Sequence, residues 1–389
     1  MSIAVAESIL RRHPDPDSIP HKPWCYMQGY ILAGFEKLAA YTGDPRYWAY
    51  IQRFVDQHVT AEGDLRGFAG DSLDDIMAGT MVVAAYEHTG RKRYRLAARK
   101  IREALRLYRA DSDYPRNSDG GFWHSRSLPH EMWIDGVFMG GMFLTRYAAV
   151  VGGAECSTFR EDCFDEATRQ IRIFASHCRK GESGLFLHAY DESRSVFWAD
   201  PLTGLSPEVW SEGLGWYALI LAETLFLLPP EHPERPAVMD ILRELVEGLR
   251  RTQDARSGLW YQVVDKGDRP VLPTLPLHNG SREQSWQDNW HDTSGSAMFV
   301  YAIQQAVDQG WVSAGTYAPV ARRGYEGIVS KARVNSEGLV DIYDACDGVC
   351  VQRSYADYIN YPRVVNAKEA VGGFLWATTI VEKPMGHGA

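Results

Sequence analysis

The sequence predicts an all-α protein, a double-layered helical barrel of six hairpins, and three observations carry that prediction. Nearly apolar helical stretches alternate along the chain with amphipathic ones, as a ring of buried inner helices wrapped by half-buried outer helices requires. A short phrase recurs between the two kinds, Thr-Gly-Asp-Pro-Arg-Tyr at 42–47 and Thr-Gly-Arg-Lys-Arg-Tyr at 89–94. A second repeat sets a glycine before alternating apolar and polar residues: GGFWHSRS at 120–127, SGLFLHAYD at 183–191, SGLWYQVVD at 257–265 and EGLVDIYDA at 337–345. Strand-like segments of this kind, at one end of successive hairpins, would bring their loops to a common face. No βαβ alternation, phosphate-binding glycine loop or Pro/Gly-rich linker interrupts the pattern. Residues 1–389 are therefore expected to form a single domain, with 1–23 as an N-terminal lead-in.

In chain order, Tyr30, Leu32, Phe35, Leu38 and Ala39 mark one helical face, and Trp48, Ile51, Phe54 and Val55 begin the next. Met77 to Tyr86 is apolar and is followed by an amphipathic helix through Leu107. Gly213 to Leu228 is apolar nearly all round and stops at Pro229-Pro230. Val238 to Thr252 is amphipathic, Gly295 to Gln305 apolar, Ala314 to Val329 amphipathic, and Ala367 to Val381 apolar again. The opening Ser-Gly-Ser-Ala at 294–297 suits close approach of two backbones.

Composition bounds the function. With 45% hydrophobic and 23% charged residues the chain can bury a large core. A net charge of −9 argues against nucleic acid and anionic membrane surfaces as main partners, but not against a small anionic substrate. The first residues lack a cationic n-region, so neither a signal peptide nor a membrane span is expected. The six cysteines form no metal-ligand pairs, and buried thiols in a reduced, cytoplasmic protein are the expectation.

The chemistry centres on Phe122 to Tyr147, where Asp135 lies among Trp133, Ile134, Phe138, Met139 and Phe143. An acid in aromatic surroundings can stay protonated near neutral pH, although Asp135 could equally serve as a helix N-cap. If the loops converge, Asp74, Asp75, His124, Trp133, His188 and Trp210 to Trp216 join it, with Glu212 among them. The long 268–294 segment adds His278, Trp286, Asp288, Trp290, His291 and Asp292. Paired acids with aromatic walls suit glycoside chemistry, and no HExxH, Cys-pair or EF-hand spacing points to a metal.

Taken in order, LDDIMAG, GGFWH, EMWIDGVFM, GLFLHAYD, WSEGLGWYA and TSGSAMF resemble the unsaturated rhamnogalacturonyl hydrolases, glycoside hydrolase family 105, and more distantly the unsaturated glucuronyl hydrolases of family 88. The resemblance implies an (α/α)6 barrel that needs no metal or organic cofactor and acts on lyase-generated oligosaccharides ending in a 4,5-unsaturated uronic acid. It implies hydration of the double bond, with Asp135 as general acid/base and Asp74 as a second acid that holds substrate. His124 and His188 match substrate-contacting histidines, and Trp133 and Trp216 match aromatic walls. Trp210, Glu212, Trp290 and His291 are further candidates for substrate binding. The family's WxRGNGW is here Trp210-Ser-Glu212-Gly-Leu214-Gly-Trp216, so an anion replaces a cation and would repel a uronate; either another cation, for which Arg282 and Arg353 are candidates, substitutes, or Glu212 binds hydroxyls. The family's glutamate before SG(T/S)AMF is here Asp292. A monomer or small homo-oligomer is expected. Two alternatives stay open: a glycosidase of saturated uronosides or other sugars that pairs Asp135 with Glu212 or Asp74, and a non-catalytic sugar-binding barrel.

Overall fold

The structure, a computed structural model, describes residues 1–106, 115–152, 157–269 and 288–383. Its helices are α1 (Ser2–Arg12), α2 (Tyr26–Thr42), α3 (Pro45–His58), α4 (Leu73–Met77), α5 (Gly79–Thr89), α6 (Lys92–Arg106), α7 (Ile134–Tyr147) and α8 (Ser157–Cys178). They continue with α9 (Ser211–Leu227), α10 (Arg235–Thr252), α11 (Thr293–Asp308), α12 (Ala314–Val329), a short α13 (Tyr355–Ile359) and α14 (Lys368–Glu382). An inner ring runs α2, α4–α5, α7, α9, α11, α14 and closes where α14 packs on α2. The outer helices α3, α6, α8, α10 and α12 each pack on the inner helix that precedes them.

The sixth outer position belongs to the N-terminus. Residues 1–23 contain more than a lead-in: α1 buries Val5, Ala6 and Ile9 and packs on α14. The sixth hairpin is thus made from the two ends of the described chain.

Composition explains the two layers. Inner helices such as α9 are buried along nearly their whole length, while α3 and α10 bury one stripe each. The 42–47 and 89–94 phrases are the inner-to-outer turns. Gly43 (φ 69°) and Gly90 (φ 66°) end their helices in the left-handed conformation, and Asp44 caps α3 by accepting the Arg46 N–H at 2.9 Å. Close approach at 294–297 also occurs: a Cβ on Gly295 would lie 2.6 Å from the Ser211 carbonyl oxygen, so these inner helices touch backbone to backbone. Trp216, Trp376 and Tyr30 fill the centre, with Tyr30 and Trp216 rings 4.5 Å apart. The stretch Ile134–Gly152 is long and apolar enough to cross a membrane, but it is mostly buried in this ring.

The strand-like repeat follows the outer helices. Gly120, Gly184, Gly258 and Gly338 all adopt positive φ, between 73° and 92°. Each glycine turns the chain back so that it re-enters the face toward which the inner helices begin. Two-stranded ribbons finish this end: β1 (Glu131–Trp133) pairs antiparallel with β2 (Ala189–Asp191), β3 (Ala332–Val334) with β4 (Val340–Ile342), and β5 (Ala345–Cys346) with β6 (Arg363–Val364).

Candidate active site

The inner helices begin at this face, and their first turns carry the polar groups. Asp74, Asp135, Glu212 and Glu369 each occupy the second position of an inner helix, in α4, α7, α9 and α14. Ser294 holds the same position in α11. The repeat strands seal these starts: Leu73, Ile134 and Ser211 donate their N–H groups to the carbonyls of His124, His188 and Gln262 at 3.0, 2.9 and 2.9 Å. Those three acceptors are each the fourth residue after a repeat glycine, so one hydrogen-bond rule aligns each strand with a helix start and satisfies a donor the helix leaves unpaired.

A cavity of about 300 Å³ lies between these ends. Its walls include Asp74, His124, Trp133, Asp135, Trp210, Glu212 and Trp216. On one side His124 lies against both aspartates, with Nε2 3.6 Å from Asp74 Oδ1 and Nδ1 4.0 Å from Asp135 Oδ2. Trp133 stacks on the imidazole at 4.6 Å. Gly136 makes this possible, because a Cβ there would lie 2.9 Å from His124 Nδ1. Asp135 is not a helix cap: Trp133 holds the N-cap position, and Asp135 Oδ1 is buried without a hydrogen-bond partner among the described residues.

The electrostatics separate the two acids. Burial pushes the Asp135 carboxyl above its usual range; the Asp74 charge adds to this, and His124 opposes it. Burial also acts upward on Asp74, but the His124 charge and hydrogen bond, with His21 and Lys22, outweigh it and hold Asp74 below the usual range. Desolvation disfavours the His124 cation, yet Asp135 and Asp74 overcome that and raise its pKa to about 9. The result is an ionised Asp74, an imidazolium and an acid that keeps its proton more readily. Donor atoms of these three side chains lie within 4.8 Å of one another, near enough to hold a divalent cation.

The opposite wall is a second acid cluster. Glu212 is buried, accepts the Ser294 hydroxyl at 3.0 Å, and is pushed well above the carboxylate range by burial and by Glu369 and Asp292. Driven toward its neutral form, Glu212 repels an anion less than the residue type alone suggests. Asp292 caps α11, accepting the Gly295 N–H at 2.8 Å.

Other candidates lie outside the cavity. His188 is buried behind Trp133 and Trp210, its Nδ1 2.8 Å from the Tyr358 hydroxyl, and burial and His124 keep it neutral. Trp290 is buried beside Trp210 and donates to the Ile359 carbonyl at 2.9 Å. His291 does not line the cavity; it packs on Tyr261, with Nε2 3.2 Å from Ser257 and 3.3 Å from Asp254. Asp75 pairs with Lys22, and Asp288 is exposed. Arg353 lies over the Phe197 ring rather than in the cavity. His278, Arg282, Trp286 and Cys156 fall outside the described residues. Among the described cysteines Cys25, Cys163, Cys178 and Cys346 are buried, but Cys350 is exposed and reaches the cavity. Sequence reasoning missed His21, Tyr26, Lys368 and the Asp347–Cys350 loop, all cavity residues. One signal was available for the region around Lys368: it opens the last apolar helix, and the acid after it repeats the placement of Asp74, Asp135 and Glu212. His21 adopts φ 122°, a strained backbone of the sort that concentrates at functional sites.

A closed ring of inner and outer helices, with acids and tryptophans gathered where the inner helices begin, defines a six-hairpin barrel of the glycosidase type. The chain belongs to Glycosyl Hydrolase Family 88, whose family model matches residues 2–274 and 278–385. It superimposes on a glycoside hydrolase from family 105 of C. acetobutylicum ATCC 824 with a TM-score of 0.84 and 29% identity, covering 98% of this chain and 99% of that one. The unsaturated rhamnogalacturonyl hydrolase YesR of Bacillus subtilis (strain 168) is 25% identical over 79% of this chain and 84% of its own length. The unsaturated glucuronyl hydrolase of Bacillus sp. GL1 shares the fold, with a TM-score of 0.64 at 13% identity over 99% of this chain and 95% of that one. Protein Atu3128 of Agrobacterium fabrum (strain C58 / ATCC 33970) is 33% identical over 40% of this chain, and the match spans 58% of that protein's length.

Proposed function

We propose that this protein removes a terminal 4,5-unsaturated uronic acid from oligosaccharides produced by polysaccharide lyases. Asp135, protonated, delivers its proton to C4 of the enol ether. The resulting carboxylate takes a proton from the water that adds at C5, and the hemiketal so formed opens and releases the remaining saccharide. Asp74 and His124 fix the charge around Asp135, and Trp133, Trp210 and Trp216 wall the sugar. The observation that carries this reading is the Asp74–His124–Asp135 set, in which one acid is held ionised and the other is kept able to donate.

The test is ultraviolet absorbance of lyase-digested rhamnogalacturonan, glycosaminoglycan and ulvan after addition of the protein. Hydration destroys the conjugated chromophore. Loss of absorbance with one digest, lowered about 10²- to 10⁴-fold in Asp135→Asn, is the expected result. Unchanged absorbance with every digest, together with cleavage of saturated uronosides, would overturn the proposal.

A further inference from the structure

A uronate would bring a carboxylate into this cavity, where Glu212 offers an acid and no positive charge, so a cation must come from another lining residue. Among the cavity-lining residues described, the side chains that carry positive charge are His124 and Lys368. His124 is engaged with Asp74 and Asp135. His21 is held toward its neutral form by burial and by Lys368. Lys368 opens α14, and its ammonium lies 3.1 Å from Glu369 Oε1 and 3.7 Å from Asp347 Oδ1. An ammonium has three N–H donors, so these two acids leave one direction available to a ligand. Glu369 is itself held by the Tyr26 hydroxyl at 3.0 Å, which fixes the ammonium at the cavity wall. Glu212 stands near enough for the Lys368 charge to act on it. The first turns of α4, α7, α9 and α14 face the same space and add the positive ends of their dipoles.

We propose that Lys368 receives the carboxylate of the uronate in this cavity. The inference rests on the cavity being a uronide site, and it commits the protein to the free acid over its ester. Glu212 and Tyr26 line the same part of the cavity. Lys368 thereby sets specificity, while Asp135 sets the chemistry.

The experiment uses an unsaturated uronyl disaccharide and its methyl ester, with turnover followed by absorbance and binding followed by tryptophan fluorescence. For the wild-type protein the free acid is expected to bind about tenfold or more tightly than the ester. Lys368→Met should raise KM and Kd for the acid by about that factor and leave the ester nearly unchanged, and Lys368→Arg should restore the preference. Thermal unfolding of both variants separates loss of recognition from loss of fold. Equal losses on acid and ester would overturn the assignment and make Lys368 a structural partner of Glu369. Binding of acid and ester alike by the wild type, or of neither, would also overturn it. Selective, Lys368-dependent binding of the acid without turnover would support Lys368 and sink the hydration reading instead.

Discussion

His124 has both ring nitrogens facing carboxylates, which ties the charge of the cavity and the stability of the fold to a single proton. Its pKa moves from 6.5 to about 9 on folding. The stability this contributes is complete below pH 6.5 and is lost as pH rises through about 9, and it amounts to about 3 kcal/mol at most. Thermal midpoints of the wild type should therefore fall between those limits, and His124→Gln should flatten that part of the profile; parallel profiles would refute the linkage. Asp74 behaves oppositely. Its carboxyl is held down, so its contribution is present above the usual carboxylate pKa and disappears as pH falls through the lowered one. Activity should accordingly fall at low pH as Asp74 protonates and at higher pH as Asp135 loses its proton, with the second limb above the usual carboxylate range. A rate profile flat from about pH 3 to about pH 9 would rule out this division of roles.

At the scale of elements, the site follows from two repeated devices, helix starts that carry an acid in the first turn and glycine turns that feed strands against those starts. Gly136→Ala tests the first, because its Cβ would collide with His124 Nδ1 at 2.9 Å and push the imidazole off Asp135. Activity should drop about tenfold or more while the thermal midpoint moves by a few degrees; equal loss of both would make Gly136 a folding residue only. The turns can be tested by contrast. Gly338 has open space around a Cβ, so Gly338→Ala should cost about 1 kcal/mol from positive φ alone. Gly258→Ala would also place its Cβ 2.2 Å from the Arg323 carbonyl oxygen and should cost about 2–4 kcal/mol. Denaturant midpoints of the two variants measure the difference, and equal costs would contradict it.

At the scale of the molecule, the ring is closed by its ends. Helix α1 supplies the outer layer over α14, and Arg12 pairs with Asp341 beyond it. Ile9 is buried in that contact, so Ile9→Ala should cost about 2–5 kcal/mol although it lies in what the sequence presents as a lead-in. A change below about 0.5 kcal/mol in equilibrium unfolding would mean that α1 decorates the barrel rather than completing it. Closure also reaches the site, since α14 brings Lys368 to the cavity and α1 covers the back of that helix.

The alternation of apolar and amphipathic stretches, the Thr-Gly turns and the glycine-led strands were legible in the chain because they depend on local rules: helical period, left-handed caps and burial of one face. The family, and Asp74, Asp135, His124, Trp133, Trp210 and Trp216 as cavity residues, followed from motifs whose spacing those rules preserve. Tertiary structure decided the rest. That Glu212 faces Glu369 and Asp292, and so is driven toward its neutral form, depends on residues 80 to 157 positions away meeting in a dry wall. His291 and Trp290 look as chemical in sequence as His188 does, and only packing shows that all three stand outside the cavity. Lys368 is an ordinary residue in the chain. The closing helix makes it a cation at the cavity wall, because charge acts through space and a single sequence records neighbours only along its length.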